Sequence, residues 1–229
     1  MAIGPGLHIE DPSDASLNLA MSDKARPLYD AVVDFIASEV EPVTLEFHQL
    51  GEVREDHWGY HPGQMEILDG LKTKAREVGL WNLFLPDAET GEGLSNLDYA
   101  YIASELGKNP LASESLNCSA PDTGNMEVLE RVGTPEQKKQ WLEPLLNGEI
   151  RSAYAMTEPD VASSDAKTLA CRAVLDGDEW VINGQKLFTR LAYNADYVWL
   201  AARTDPDAPG HKGITMFLVD TTDPGFSIQ

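Results

Sequence analysis

Residues 169–183 read LACRAVLDGDEWVIN, in which Leu169, Cys171, Ala173 and Leu175 stand at every second position before a short turn sequence, and the apolar residues 180–182 start a return strand after it. A period of two is typical of a β-strand with one buried face. The letters DGD at 176–178 form the turn signal, and NG at 183–184 follows the return strand. The stretch therefore predicts a β-hairpin, and it marks the part of the chain that we expect to be β-structure.

The chain before this hairpin follows a helical period instead. Ser22 is the predicted N-cap of a first helix, which we expect Pro42 to bend or stop. Residues 65–78 repeat the pattern, with Gly79 as the C-terminal cap. The face predicted to be buried on the first helix consists of Leu28, Val32, Phe35, Ile36 and Val40. Amphipathic helices are therefore predicted from residue 22 to about residue 148.

Two further helices have clear start signals. Residues 96–106 follow Ser95 as N-cap and end before Gly107. Residues 134–137 read TPEQ, which predicts a capping box in which Thr134 and Gln137 each satisfy a backbone N–H of the other. Residues 81–86 (WNLFLP) are apolar but short, so they predict a connector that packs into the core.

The chain after residue 148 contains further strand candidates. Residues 197–202 (YVWLAA) and 214–219 (ITMFLV) are continuous apolar runs that predict core strands, and residues 226–229 are expected to start another strand. We therefore predict an α+β protein in which a leader (residues 1–21) precedes an N-terminal helical domain (22–150). A β-domain (151–229) follows, and we expect it to be truncated because no closing element follows its last strand candidate.

Composition excludes several classes of function. The 229 residues include 17 basic and 38 acidic ones, and the net charge of −21 makes nucleic acid an improbable partner. The sequence has neither an Arg/Lys-rich leader nor an apolar run of roughly 18 residues, so we expect no signal peptide and no membrane span. Cys118 and Cys171 lack the spacing of a disulfide scaffold or a zinc site, which predicts reduced thiols and a cytoplasmic location.

The common catalytic and metal-binding motifs do not identify a function for this sequence. His57 and His61 would share a face if they lay on a helix, and could then bind a metal. Gly59 and Pro62 argue against a helix there, which favours an exposed aromatic loop over a metal site. The sequence has no Gly-x-Ser-x-Gly elbow and no Gly-rich phosphate loop, so hydrolase and Rossmann interpretations are rejected.

Residues 154–165 read YAMTEPDVASSD and follow a short strand candidate. Their small and hydroxyl side chains are compatible with a Ser/Asp-rich turn between strands. The same residues could also present N–H groups and hydroxyls to a planar heterocycle or a phosphate. The segment alone leaves both interpretations open.

Several motifs together resemble the acyl-CoA dehydrogenase family. They are AMTEP at 155–159, SSD at 163–165 and VINGQK at 181–186, with TGNM, GTPEQK and WLEPLLNG upstream and RTDP at 203–206. The resemblance spans about residues 22–229. The form EPDVASSD has one residue more than the EPxxGSD of many members, and is similar to the subgroup that acts on longer or unusual acyl chains.

The resemblance implies a fold, a cofactor and an activity. The fold is an N-terminal helical bundle followed by a β-barrel-like middle domain. The activity is removal of two hydrogens from the α and β carbons of an acyl-CoA thioester, in fatty-acid or related acyl-CoA oxidation, with hydride transfer to FAD. Implied partners are the acyl-CoA substrate, electron-transfer flavoprotein or a similar acceptor, and other subunits of a homo- or hetero-oligomer.

By position in these motifs, the residues implied to contact FAD are Tyr154, Met156, Thr157, Ser163, Ser164, Phe188, Thr189 and Arg190. Thr157 would meet the flavin pyrimidine edge through its backbone and hydroxyl. Ser163 and Ser164 would face the pyrophosphate and the pantetheine path, and Ser164 is also the candidate for touching substrate. Glu158 and Asp165 are expected to be structural, as a buried acid and a cap.

Two departures from the family pattern leave an alternative open. Arg190 stands where a Thr commonly meets flavin N5, so it could add positive charge there, crowd the ring, or leave that role to Thr189. The C-terminal helical domain that supplies the catalytic base in the family is absent from this sequence, and no residue here is assigned as catalytic. The alternative is a non-catalytic acyl-CoA- or partner-binding subunit that lacks flavin.

Overall fold

The structure is a computed structural model, and it describes residues 19–88, 90–162 and 165–229. The first part of the chain is helical. Its α-helices are α1 (Ala25–Phe35), α2 (Glu41–Glu52), α3 (Pro62–Glu77), α4 (Asn96–Leu106), α5 (Pro110–Ser115), α6 (Asp122–Val132), α7 (Pro135–Gln137) and α8 (Glu143–Leu146). Two π-helical turns, Ile36–Val40 and Lys138–Leu142, join α1 to α2 and α7 to α8.

The first helix continues past Pro42, so of the expected bend or stop at this proline the stop is wrong. The wider turn Ile36–Val40 lies immediately before it, and Glu41 donates its N–H to the carbonyl of Ile36. The ring of Pro42 thereby falls in the first turn of α2, where its missing N–H breaks no hydrogen bond. The Ser22 hydroxyl accepts the N–H of Ala25 at 3.2 Å, but the N-cap of α1 is Lys24, so the predicted N-cap lies two residues too early.

The predicted caps of the later helices are confirmed. Ser95 Oγ accepts the N–H of Asp98 at 3.1 Å and begins α4. Thr134 and Gln137 form the reciprocal capping box, at 3.2 and 3.0 Å. Helix α3 begins earlier than predicted, because His61 Nδ1 accepts the N–H of Gly63 at 3.1 Å and thereby caps it.

The helices pack around one apolar core that extends into the β-domain. The 81–86 connector contributes Leu83 and Leu85 to this core, as predicted, and both are fully buried. Tyr197 and Trp199 on the central strand belong to the same cluster, and the Trp141 and Tyr197 rings lie 4.8 Å apart. The sheet is therefore fixed against the helices through its central strand.

The second part of the chain is a mixed five-stranded sheet, so the predicted α+β architecture is confirmed. The strands are β1 (Ser152–Ala155), β2 (Arg172–Asp176), β3 (Glu179–Asn183), β4 (Tyr197–Arg203) and β5 (Ile214–Asp220). β2 and β3 form the predicted antiparallel hairpin. β5 pairs antiparallel with all of β4, while β1 and then β2 run parallel to successive parts of its other edge.

The strand predicted at residues 214–219 is confirmed as β5, but its predicted core position and the strand expected at residues 226–229 are wrong. β5 has no fully buried residue, whereas most of β4 is buried. The difference arises because β4 lies between two apolar clusters and has paired strands on both edges, while β5 pairs with β4 along one edge. Residues 226–229 are irregular and follow a turn, which Phe226 closes by donating its N–H to the carbonyl of Asp223.

A buried ion network fastens β1 to the helices. Asp122 Oδ1 accepts the backbone N–H and the hydroxyl of Ser152, at 2.7 and 2.6 Å. Asp122 Oδ2 accepts Arg151 Nε at 2.7 Å, and the same guanidinium pairs with Glu114 at 2.8 Å. Asn125 Nδ2 donates to Ser152 Oγ at 2.8 Å. The start of β1 is therefore fixed on α6 by charge-assisted hydrogen bonds.

Substitution of Asp122 by Asn tests this network. Asp122→Asn removes one of the two charges that neutralise buried Arg151, so we expect a loss of about 3–5 kcal/mol in the free energy of unfolding. Urea denaturation at neutral pH measures it. Glu127→Gln on the same helix is the control, with an expected change within about 0.5 kcal/mol. A loss below about 1 kcal/mol for Asp122→Asn would show that the network does not hold the strand.

Candidate cofactor site

The candidate site begins where β1 leaves the cover of the helices. Successive side chains of a strand point to opposite faces, so Ser152 and Tyr154 lie on the same face of the sheet. Ser152 is buried against α6, but Tyr154 is 43% exposed. Its hydroxyl lies 4.0 Å from the sulfur of Met216, which is also exposed. This face of the sheet is therefore open from Tyr154 onward.

The chain beyond β1 is held by one buried carboxylate. Glu158 is 6% exposed, and its Oε1 accepts the N–H of Cys171 at 2.9 Å and Lys186 Nζ at 2.8 Å. Its Oε2 accepts the N–H of Ala170 at 2.6 Å. Lys186 Nζ also donates to the carbonyl of Met156 at 3.2 Å. Three segments that are distant in sequence thus meet at one ion pair.

The electrostatics of this pair support a structural role. Burial raises the pKa of the Glu158 carboxyl. The hydrogen bonds from Lys186, Ala170 and Cys171 together lower this pKa by more than burial raises it, so the net pKa is below its ordinary value. Glu158 is therefore ionised at neutral pH with both oxygens accepting hydrogen bonds. Asp165 caps the short turn Ala166–Thr168 by accepting the N–H of Lys167. Both acids have the structural roles that the sequence indicated.

The turn after β3 brings Lys186 to this carboxylate. Gly184 passes so close to Cys171 that a Cβ at position 184 would lie 2.5 Å from Cys171 Sγ and 2.9 Å from its Cα. A side chain larger than hydrogen is excluded there. The Asn-Gly sequence after the hairpin therefore permits a close crossing, in addition to ending the strand.

The same crossing brings Thr157 beside Phe188. Leu187 donates its N–H to the carbonyl of Thr157 at 2.8 Å. The N–H and the hydroxyl of Thr157 make no hydrogen bond to the described residues, and the residue is partly exposed. Phe188, one residue beyond Leu187, is 91% exposed. Two available donors and an almost fully exposed aromatic ring thus lie on segments that this hydrogen bond joins.

This arrangement fits the cofactor that the resemblance implies. A flavin has a pyrimidine edge that accepts hydrogen bonds and a flat ring system that stacks on aromatic side chains. The donors of Thr157 match the edge, and the Phe188 ring is free to meet a planar partner. Ser163 and Ser164, the residues implied for the pyrophosphate and the substrate, lie outside the described residues.

The remaining two candidates lie on a turn with unusual backbone geometry. Phe188 and Leu191 have φ values of 54° and 61°, in the left-handed region that residues other than glycine rarely adopt. Thr189 and Arg190 lie between them. The carbonyl of Thr189 accepts the N–H of Ala192, and the Arg190 side chain is exposed.

Other candidate features have structural roles. His61 uses Nδ1 to cap α3, and residues 19–88, 90–162 and 165–229 contain no group of three His, Cys, Asp or Glu side chains suited to a metal. Cys118 and Cys171 are buried free thiols. Among the helices that the structure describes, none has the length and hydropathy needed to cross a membrane.

Sequence reasoning assigned no role to two contacts that shape the site. One is the Lys186–Glu158 ion pair, although both residues lie in quoted motifs. The other links the β-domain to the helical domain, because Asn194 Nδ2 donates to the carbonyl of Trp58 at 3.3 Å. The two residues of this second contact are 136 positions apart, so no local pattern could indicate it.

Comparisons with known proteins identify the family. Residues 22–149 match the family model of the acyl-CoA dehydrogenase N-terminal domain, and residues 153–229 match that of the middle domain. The FadE2 protein of Mycobacterium tuberculosis, which is named for acyl-CoA dehydrogenase, is 42% identical over 93% of this chain. Acyl-CoA dehydrogenase family member 10 of Mus musculus is 43% identical over 91% of it.

A solved structure from Mycobacterium abscessus, also named for acyl-CoA dehydrogenase, superposes with a TM-score of 0.83 and is 46% identical over 92% of this chain. The chain spans 53% of that protein, 51% of FadE2 and 20% of the mouse relative. Both family models and the Mycobacterium abscessus structure agree with the helical part followed by a mixed sheet. The chain therefore belongs to the acyl-CoA dehydrogenase family.

Proposed function

We propose that this chain provides the flavin-contacting surface, and part of the acyl-CoA-contacting surface, of an enzyme that performs FAD-dependent α,β-dehydrogenation of an acyl-CoA thioester. The reaction belongs to fatty-acid or related acyl-CoA oxidation. The observation that carries the proposal is the pair of available donors on Thr157 beside the exposed ring of Phe188. The resemblance of the surrounding motifs to the family implies that the ligand of these donors and this ring is FAD.

Each described residue of the proposed site has a binding task. Thr157, through its N–H and hydroxyl, and the backbone of Met156 bind the pyrimidine edge of the flavin. Tyr154 lies beside the ring system, and Phe188 stacks on it. Bound FAD supplies the hydride acceptor of the reaction. The protein groups orient the ring and limit access of water to it.

Ser163, Ser164, Thr189 and Arg190 complete the proposed site. The two serines bind the FAD pyrophosphate and the pantetheine of the substrate, with Ser164 as the substrate contact. Arg190 places a positive charge near the flavin, unless Thr189 takes the position of the family threonine. These roles follow from motif positions.

The base that removes the α-proton is proposed to lie outside these 229 residues. Removal of this proton needs a positioned base in contact with substrate. Glu158, the buried acid of the TEP motif, accepts hydrogen bonds at both carboxylate oxygens, so it is committed to structure. The resemblance assigns the base to the helical half of family proteins that this chain does not span.

The proposed partners follow the same resemblance. They are the acyl-CoA substrate, electron-transfer flavoprotein or a similar electron acceptor, and further subunits of a homo- or hetero-oligomer. The two free, buried thiols fit the reducing conditions of a cytoplasm.

The Thr157 hydroxyl can be tested by a substitution that keeps its shape. Thr157→Val removes one neutral hydrogen bond to FAD, which contributes about 0.5–1.5 kcal/mol, so we expect the dissociation constant for FAD to rise roughly threefold to tenfold. Flavin fluorescence titration measures it. Thr73→Val is the control, since the Thr73 hydroxyl bonds within its own helix. An unchanged FAD affinity in Thr157→Val would assign this segment to a turn between strands.

The enzyme and the non-catalytic alternative differ in their response to substrate. We expect the 229-residue chain to hold FAD weakly and to show no flavin bleaching with saturated acyl-CoA, because it lacks the base. A chimera that joins residues 22–229 to the C-terminal half of the Mycobacterium abscessus protein should purify yellow and bleach on mixing. Absorption spectroscopy follows both proteins, and circular dichroism controls for their folding.

Each other outcome of this comparison has a definite meaning. Bleaching by the 229-residue chain would show that an acid within it acts as the base. A folded chimera that neither binds FAD nor bleaches, with Arg190→Thr giving no recovery, would favour the non-catalytic subunit.

A further inference from the structure

The turn that carries Phe188 needs support from the rest of the protein. We define the Phe188 turn as residues 188–191, and it contains two non-glycine residues with left-handed backbone conformation, Phe188 and Leu191. Such conformations persist where the surrounding structure holds them. The exposed Phe188 side chain itself contributes almost no packing. The support must therefore come from the two ends of the turn.

The first end of the turn is held within the β-domain. Leu187 donates its N–H to the carbonyl of Thr157 at 2.8 Å, and Lys186 is fixed by Glu158. The backbone that carries the Phe188 side chain is therefore fixed at this end of the turn.

The second end of the turn is held by the helical domain. The short helical turn Ala192–Asn194 follows directly, and Asn194 Nδ2 donates to the carbonyl of Trp58 at 3.3 Å. The Asp56 carboxylate also raises the pKa of the neighbouring Tyr193 hydroxyl, in support of this contact. Asp56 and Trp58 belong to residues 54–61, which we call the strut loop, between α2 and α3.

The strut loop is ordered by its own hydrogen bonds. Asp56 Oδ1 accepts the N–H of Trp58 at 3.0 Å. Arg54 donates to the carbonyls of His57 and Gly51, at 3.0 and 2.8 Å. The far end of the loop is fixed where His61 caps α3. The loop that contacts Asn194 is therefore held by hydrogen bonds of its own.

We propose that Tyr193 and Asn194 are positioning residues, which tie the Phe188 turn to the strut loop and so set the position of the Phe188 ring against the cofactor. The helical domain thereby contributes to the flavin surface without touching the flavin. This inference rests on the proposed function, because the ring matters only if a planar cofactor stacks there.

The test uses the 229-residue chain and the double variant Tyr193→Phe/Asn194→Ala. Without FAD, hydrogen exchange followed by mass spectrometry should show faster exchange in peptides that cover residues 187–192. With FAD, measured on the chimera carrying the same double variant, the dissociation constant should rise threefold or more, and the absorption maximum of the bound flavin should shift. The matched control is Tyr101→Phe/Asn147→Ala, which removes one phenol and one amide at distant exposed positions and should change neither readout.

The outcomes separate this inference from the proposed function. Unchanged exchange at residues 187–192 in the double variant would overturn the inference, whether or not FAD binds. Faster exchange with an unchanged FAD affinity and spectrum would also overturn it, because the contact to the strut loop would then order the turn without affecting how FAD binds. Failure of the unsubstituted chain and of the chimera to bind any FAD would overturn the proposed function itself, and this inference with it.

Discussion

The burial of the Glu158 carboxylate is the constraint on which the candidate site depends. A buried charge is costly unless it is paired and hydrogen-bonded. Glu158 meets this requirement with donors from two other segments, the N–H groups of Ala170 and Cys171 and the ammonium of Lys186. The positions of these segments are therefore not independent. Any backbone path that separated them would leave an uncompensated charge in the interior.

A second buried carboxylate acts at the other end of the same strand. Asp122 accepts hydrogen bonds from Arg151 and Ser152 where β1 begins, and Glu158 pairs with Lys186 three residues after β1 ends. Tyr154 and Thr157, two of the groups proposed to meet the flavin, lie between these fixed points. A binding surface needs such support because small displacements of its groups weaken binding and catalysis. The strand is short, but both of its ends are restrained by charge.

Local signals predicted much of the fold. The capping box at Thr134, the N-cap at Ser95 and the β2–β3 hairpin each depend on residues a few positions apart, and each was found as predicted.

The errors arose where distant residues decide the outcome. Pro42 was expected to bend or stop a helix, but the helix continues through a π-helical turn that accommodates the proline. β5 was expected in the core because its sequence is a continuous apolar run, but such a run does not indicate which elements pack on the strand. The motifs indicated the site residues, whereas the links from Glu158 to Lys186 and from Trp58 to Asn194 join segments that no local pattern connects.

The pH dependence of the Glu158 contribution tests the central claim most directly. The folded pKa of Glu158 lies below its ordinary value of 4.5, so the ionised carboxylate stabilises the fold above pH 4.5, and this contribution is lost as the pH falls through the folded pKa. Urea denaturation of the chain and of Glu158→Gln at a series of pH values gives the difference. The account predicts that the unsubstituted chain is more stable by about 1.5–3 kcal/mol at pH 7, with the difference shrinking below pH 4.5. A difference that is absent at pH 7, or that does not change with pH, would contradict it.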